Sequence, residues 1–180
     1  MISEREEYFN SLVRDYSERL YRHVRSIVGS HEDADDLMQD IYIKVWHSLS
    51  SFRGESSAFT WLWRIATNMA LNHLRAQSIR QRFAFSAKQD AGTVSTSDTL
   101  EGDEIERRFS KALSSLPPKQ RAVFCMRYFE ELSYEEIAAV TGTSEGALKA
   151  SYHIAQNKVK QIVTDFFLNL GAGLASNNTK

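Results

Sequence analysis

Hydrophobic residues recur every three or four positions along most of this chain, which is the period of a helix with one buried face, and no segment alternates like a β-strand. The only prolines, Pro117 and Pro118, leave long stretches free for helices. The pattern predicts an all-α fold with seven helices, at about residues 4–28, 32–49, 57–82, 103–116, 118–129, 134–140 and 145–167.

The helical period stops between residues 86 and 104, where small polar residues predominate and one lysine stands against five carboxylates, a net charge of −4. We interpret this segment as a flexible acidic linker. It would join two small helical bundles, residues 1–85 and 105–168. Residues 169–180 we expect to form a disordered tail.

Residues 132–159 have the pattern of two helices joined by a tight turn. Ser133 and Glu136 have the spacing of a capping box, Gly142 can adopt the left-handed conformation that ends a helix, and Ser144 suits the start of the next one. This is the pattern of a helix-turn-helix, and it makes DNA the first ligand to consider. The alternative is a helical hairpin that only packs in a core.

The second of these helices has two distinct faces. Its inward stripe comprises Leu148, Tyr152, Ala155 and Val159. Its outward face, which would enter a major groove, comprises Lys149, Ala150, His153 and Gln156.

An acidic helix is predicted near the N-terminus, where residues 31–44 carry five carboxylates and one lysine, a net charge of −4. Its own core stripe would be Leu37, Ile41, Val45 and Leu49. Met38 and Tyr42 are expected to be exposed beside the carboxylates Asp36 and Asp40, which favours a protein partner that presents basic groups. An ordinary solvated amphipathic helix is the alternative.

The next helix is basic, since residues 53–82 carry five arginines and one glutamate, a net charge of +4. One face would present Arg64, Asn68, Asn72 and Arg75. Asparagine is a mediocre helix former that reads base edges well, and arginine binds phosphate. The nearby aromatics could stack on unpaired bases, although for any single ring a place in the core is favoured: Phe52, Phe59, Trp61 and Trp63. The mixture suits opened DNA better than intact duplex.

Several classes of protein are disfavoured. Cys125, the only cysteine, lies in an apolar run and is expected to be a buried structural thiol. The five histidines are dispersed, so we expect no catalytic set, no metal site and no cofactor. Because the chain has no long apolar run and begins with charged residues, we expect a cytoplasmic protein without membrane insertion.

Three segments in this order resemble the bacterial RNA polymerase sigma factors of the extracytoplasmic-function (ECF) group in their minimal two-domain form. They are DADDLMQDIYIKVW, FRGESSAFTWLWRIATNMALNHLR and LSSLPPKQRAVFCMRYFEELSYEEIAAVTGTSEGALKASYHIAQ. The resemblance implies a factor that binds core RNA polymerase, through the clamp helices of β′ and the flap of β, and directs it to promoter DNA. It also implies control by an anti-sigma factor.

The resemblance assigns roles to three sets of residues. The polymerase-binding set is Asp33, Asp36, Met38, Gln39, Asp40, Tyr42 and Ile43. The set that reads the melted minus 10 element is Arg53, Ser56, Ser57, Trp61, Arg64, Asn68, Asn72 and Arg75. The set that reads the minus 35 duplex is Ser144, Lys149, Ala150, His153 and Gln156.

Lys149 and Ala150 depart from the commonest family pattern, which has arginine and a hydroxyl residue there. This leaves the minus 35 sequence open. A stand-alone helix-turn-helix regulator is the competing hypothesis. It would explain residues 132–159 but would leave the acidic and the asparagine-bearing helices without a purpose.

Overall fold

The computed structural model describes residues 4–87 and 104–176. Within these ranges the chain is all-α, as predicted, with seven α-helices and one short 3-10 turn at Leu49–Ser51. The helices are α1 (Glu4–Val28), α2 (His31–Ser48), α3 (Ala58–Ala87), α4 (Glu104–Ser114), α5 (Pro118–Tyr128), α6 (Tyr134–Thr141) and α7 (Glu145–Ser176).

Helices α1, α2 and α3 pack on one another as an N-terminal bundle. Ser30 caps α2 by accepting a hydrogen bond from the Asp33 amide (3.3 Å), and the acidic first turn that follows suits the positive end of the helix dipole. The predicted core stripe of α2 is confirmed, because all four side chains are buried: Leu37, Ile41, Val45 and Leu49. One face of α2 is therefore fixed toward the core and the other is left to solvent.

Helices α4 to α7 form the C-terminal bundle, in which α6 and α7 are the predicted helix-turn-helix. The capping box is present: the Glu136 amide donates to Ser133 Oγ (3.1 Å), and the Ser133 amide donates to the Glu136 carboxylate (2.7 Å). Gly142 ends α6 in the left-handed region, at φ 69°. The inward stripe of α7 is confirmed, since Leu148, Ala155 and Val159 are buried and Tyr152 is half-buried.

The two bundles are in contact through α5, which packs against α1 and α3, and through α6, which packs against α3. A single cluster of buried apolar residues runs from α1 through α5 into the start of α7. Cys125 lies in this shared core, and its thiol contacts the backbone carbonyl of Ser26 (3.3 Å). Burial raises the pKa of the Cys125 thiol to about 11, so the prediction of a structural thiol is confirmed.

A buried polar cluster crosses the same boundary. A hydrogen bond of 2.6 Å joins His23 Nδ1 to a Glu130 carboxylate oxygen, and Trp63 Nε1 donates to the other oxygen (2.6 Å). His23 Nε2 lies 2.9 Å from the Thr67 hydroxyl. Since His23, Trp63 and Thr67 belong to the N-terminal bundle and Glu130 follows α5, these bonds tie the bundles to each other.

Two segment boundaries differ from the sequence prediction. Helix α7 continues to Ser176, so residues 169–176 are helical and the tail predicted there is wrong over that stretch. Helix α3 runs to Ala87, and α4 begins at Glu104, which is helical too. The rest of the predicted linker, residues 88–103, lies outside the described residues, as do residues 177–180.

Candidate nucleic-acid interface

The loop before α3 shapes a cleft beside the start of that helix. Ser57 caps α3, because its hydroxyl accepts from the Thr60 amide (3.1 Å). Gly54 has a φ of 72°, which lets the loop turn sharply. The cleft has a volume of about 500 Å³ and is lined by Ser51, Phe52, Arg53, Glu55, Ser56, Trp61 and Arg64.

Aromatic rings form one wall of this cleft. Phe52 and Trp61 have ring centroids 4.7 Å apart, and Tyr8 stacks on Phe52 with a centroid distance of 6.4 Å. Both Phe52 and Trp61 are half-buried, so part of each ring faces solvent. A flat wall beside Arg53 and polar loop atoms is suited to an unstacked base with its phosphate.

The other two aromatics of this segment have structural roles. Trp63 is fully buried and is bonded to Glu130, so Trp63 belongs to the core, which is the alternative that the sequence favoured for each single ring. Phe59 packs on Trp63 at 4.1 Å, with the Arg19 guanidinium 4.7 Å from the Phe59 ring centre. These rings are buried because α1 packs over them, and the sequence pattern of α3 alone could not reveal this contact.

The polar face of α3 continues away from the cleft. All four predicted residues are exposed: Arg64, Asn68, Asn72 and Arg75. Arg75 donates to the Asn72 side-chain oxygen (3.0 Å), whereas Arg64 donates to the Ala139 carbonyl of α6 (2.7 Å). The first part of this face is therefore engaged by the C-terminal bundle.

The outward face of α7 is free of the other bundle in every contact that the described residues show. Its four predicted residues are exposed: Lys149, Ala150, His153 and Gln156. Lys149 pairs with Glu145 one turn earlier (3.3 Å), and a hydrogen bond of 3.0 Å joins His153 to Asn157. Ser144 stands at the start of α7, with its hydroxyl 3.5 Å from the Ala147 amide.

The acidic surface of α2 is narrower than predicted. Asp36, Gln39, Asp40 and Ile43 are exposed, and the Ile43 side chain, 57% exposed, is apolar among charges. Met38 is 6% exposed and belongs to the core, so its prediction as an exposed contact residue is wrong. The reason is that Met38 follows Leu37 on a helix that packs against two others, which widens the buried face.

Two further residues of the predicted polymerase-binding set are partly engaged within the bundle. Asp33 lies 3.2 Å from His73 of α3. Tyr42 is half-buried and meets Phe9 edge to face, and burial raises the pKa of the Tyr42 phenol. The exposed acidic patch of α2 is then centred on Asp36 and Asp40.

Sequence reasoning missed the residues between the bundles, above all Glu130, His23, Arg25 and Arg121. Their partners are distant in sequence: Glu130 lies 107 residues from His23 and 67 from Trp63. The sequence offered one signal for these residues, which is the charged Arg121 directly before the apolar run AVFCM.

Comparison with known proteins decides the family. Residues 12–79 match Sigma-70 region 2 and residues 106–155 match Sigma-70 region 4. The ECF RNA polymerase sigma-E factor of Haemophilus influenzae is 32% identical, over 86% of this chain and 89% of that protein. The RNA polymerase sigma-H factor of Pseudomonas aeruginosa is 31% identical, over 84% and 83%.

The chain belongs to the ECF sigma factors. It is a promoter-specific transcription initiation factor, and the stand-alone regulator is not favoured. Its fold is shared with a sigma factor of Bartonella quintana solved in complex with the anti-sigma factor NepR, which is 25% identical and superposes with a TM-score of 0.68 over 88% of this chain and 98% of that one.

The sigma-factor family is non-enzymatic. Within residues 4–87 and 104–176, no cluster of three or more histidine, cysteine or carboxylate side chains is arranged to hold a metal ion. In the same ranges, no helix has both the length and the apolar character that a membrane span requires.

Proposed function

We propose that residues 1–85 bind core polymerase and melt the minus 10 element, and that residues 105–168 read the minus 35 element. The observation that carries this proposal is the cleft of about 500 Å³ beside α3, which brings Arg53, Ser56, Trp61 and Arg64 together. A base extruded from a duplex costs a few kcal/mol, so a pocket must supply stacking and hydrogen bonds in return. This cleft offers both kinds of contact at one place.

The remaining site residues make different kinds of contact in this proposal. Asn68, Asn72 and Arg75 continue the exposed face of α3 and would contact the melted strand beyond the cleft. Ser57 acts through the capping of α3, which holds the loop in position. On α7, Lys149 and His153 would meet base edges or phosphates, while Ala150 offers apolar contact, for instance to a thymine methyl group.

In this proposal, the arrangement with the two bundles in contact is a closed form of the protein, which differs from the form that binds promoter DNA. The two promoter elements lie about 25 base pairs apart, roughly 85 Å at 3.4 Å per base pair. Helices α3 and α6 are in direct contact, so the helix-turn-helix and the α3 cleft cannot reach both elements at once. Polymerase binding would therefore separate the bundles and release Arg64 from Ala139.

An anti-sigma factor is the expected regulator. The Bartonella quintana relative was solved with such a partner. We propose that an anti-sigma factor binds this chain and masks the acidic patch of α2 and the polar face of α3. Like the family, the chain would act in the cytoplasm and leave all chemistry to polymerase.

The proposal is tested by run-off transcription with purified core polymerase and this protein. A transcript that begins at one promoter and requires the protein is expected; its absence over a library of promoter sequences would contradict the function.

The assignment of α2 is tested by the double substitution Asp36→Lys and Asp40→Lys. Reversing two exposed charges should weaken binding to core polymerase by roughly 100-fold, since each charge contact at an interface contributes about 1.5 kcal/mol or more. Glu7→Lys, an exposed charge reversal on α1, is the control. Co-elution with core polymerase is the measurement, and an unchanged elution of the double variant would refute the α2 assignment.

A further inference from the structure

A second and larger cavity, of about 800 Å³, lies between the two bundles. Four arginines line it: Arg19, Arg22 and Arg25 from α1, and Arg121 from α5. Two carboxylates also reach its wall, Glu106 and Glu130. Glu130 is already bonded to His23 and Trp63, so the cavity has an excess of positive charge.

Two of these arginines have buried nitrogens without a partner. The Nε atoms of Arg25 and Arg121 are both buried, and neither has a hydrogen-bond partner among residues 4–87 and 104–176. Arg121 as a whole is 6% exposed. Its pKa is lowered by burial, and the charge of Arg25 lowers it further. Repulsion between two guanidinium groups and buried donors without acceptors both reduce the stability of the folded protein. An anion between the two groups would offset the repulsion and accept hydrogen bonds from the donors.

The backbone next to Arg121 is adapted to hold it. Gly29 joins α1 to α2 at a φ of 90°, and a Cβ atom there would lie 2.4 Å from the Arg121 guanidinium. Only glycine leaves this space at this backbone conformation. The guanidinium is therefore held in place by packing, and the part of the chain that the structure describes gives it no ion pair.

The cavity fits a particular class of ligand. A guanidinium presents a planar fork of donors that matches phosphate oxygens. The volume is that of pockets for small molecules, and Phe109 and Phe129 give the wall a flat apolar part. We propose that this cavity binds a phosphorylated small molecule of nucleotide size, with its phosphates on Arg25 and Arg121 and its base near the two phenylalanines.

Such a ligand would contact both bundles and would therefore stabilise the closed form by its own binding free energy. It would lower the affinity of the protein for core polymerase. This regulatory consequence rests on the proposed function, whereas the binding site does not.

The binding site is tested by isothermal titration calorimetry of the full chain in EDTA at constant ionic strength. The probes are inorganic tripolyphosphate, ATP and adenosine. Tripolyphosphate and ATP should bind and adenosine should not; a tighter complex with ATP would support the position of the base. No binding of either phosphate probe would overturn the proposal, and so would equal competition by a hexaglutamate peptide, which would indicate a surface for acidic protein segments.

Matched variants locate the ligand. Arg25→Gln and Arg121→Gln should each weaken tripolyphosphate binding by roughly tenfold or more, as expected for loss of a charge-assisted contact. Arg14→Gln, an exposed arginine of α1 that does not line the cavity, should bind as the unaltered protein does. Equal losses in Arg14→Gln and Arg25→Gln would overturn the site. Should Arg121→Gln fail to fold, Arg25→Gln carries the test alone.

The closed form can be measured separately through the reactivity of the single cysteine. Cys125 lies at the boundary of the bundles, so its reaction with a thiol reagent reports their separation. Tripolyphosphate should slow this reaction several-fold in the unaltered chain and leave it unchanged in Arg25→Gln. Because neither calorimetry nor labelling involves polymerase, failure here is distinct from failure of the transcription test.

Discussion

The two helices proposed to contact DNA, α3 and α7, differ in how far the rest of the protein covers them. The polar face of α3 begins under the C-terminal bundle, where Arg64 donates to the Ala139 carbonyl (2.7 Å). The outward face of α7 is exposed at Lys149, Ala150, His153 and Gln156, and its contacts among the described residues stay within the C-terminal bundle, including that of the Lys149 ammonium with the Tyr134 ring (5.5 Å). The protein thus keeps one proposed reading surface partly covered and the other open.

The difference suggests which step is controlled. The proposed duplex-reading face of α7 needs no rearrangement within its own bundle. Helix α3 needs the bundles to part before Arg64 and the cleft beside it are free. In the proposed function, closure therefore controls melting of the minus 10 element more strongly than recognition of the minus 35 element.

The sharpest test of the α3 face is Asn68→Ala. We expect promoter opening to fall by about 10- to 100-fold, since one good base contact contributes about 1 to 3 kcal/mol. Binding to core polymerase should be unchanged, because Asn68 lies on α3 and away from the acidic patch of α2. Permanganate reactivity of unpaired thymines measures opening.

The control for Asn68→Ala is Asn10→Ala, an exposed asparagine of α1. A loss of core binding in Asn68→Ala would contradict the division of roles between α2 and α3. Unaltered opening would show that α3 does not read the melted strand.

The closed form is tested by Glu130→Ala. This change leaves His23 and Trp63 without their shared acceptor, which disfavours closure, since hydrogen bonds to a charged group contribute about 1.5 to 3 kcal/mol. The pKa of the Cys125 thiol, raised to about 11, keeps it protonated at pH 8 in the closed form. Opening returns the thiol to water and lowers its pKa, so labelling at pH 8 should be about tenfold faster in the variant.

Glu131→Ala alters the neighbouring exposed carboxylate and should label like the unaltered chain. Glu130→Gln, which keeps one acceptor oxygen, should lie between the two. Equal labelling rates in all three variants would show that the polar cluster does not hold the bundles together.

The smallest effect is expected for Lys149→Ala on α7. Lys149 already pairs with Glu145 and is 58% exposed, so its loss should cost only a few-fold in promoter binding by the polymerase complex. The slope of log affinity against log salt should fall by about 1, as for one phosphate contact. A change as large as that of Asn68→Ala would reverse the ranking of the two faces.

Local features of this fold follow directly from nearby residues. The capping box of Ser133 and Glu136, the left-handed Gly142 and the stripes of α2 and α7 each depend on residues within a few turns, so a period and a cap suffice to predict them. The exposed face of α3 was predictable for the same reason. Met38 was predicted to be exposed and is buried, and Trp63 was left open between core and stacking surface, because the burial of both depends on which other helices pack over them.

Short-range patterns along the chain are enough to predict the helices, the helix-turn-helix, the candidate reading faces and the resemblance to ECF sigma factors. The tertiary structure alone decided that the two bundles share a core, that Glu130 joins His23 to Trp63, and that Arg25 and Arg121 face one cavity. The hydrogen bonds of Glu130 join residues 67 and 107 positions apart, and no local period specifies which distant side chains will meet.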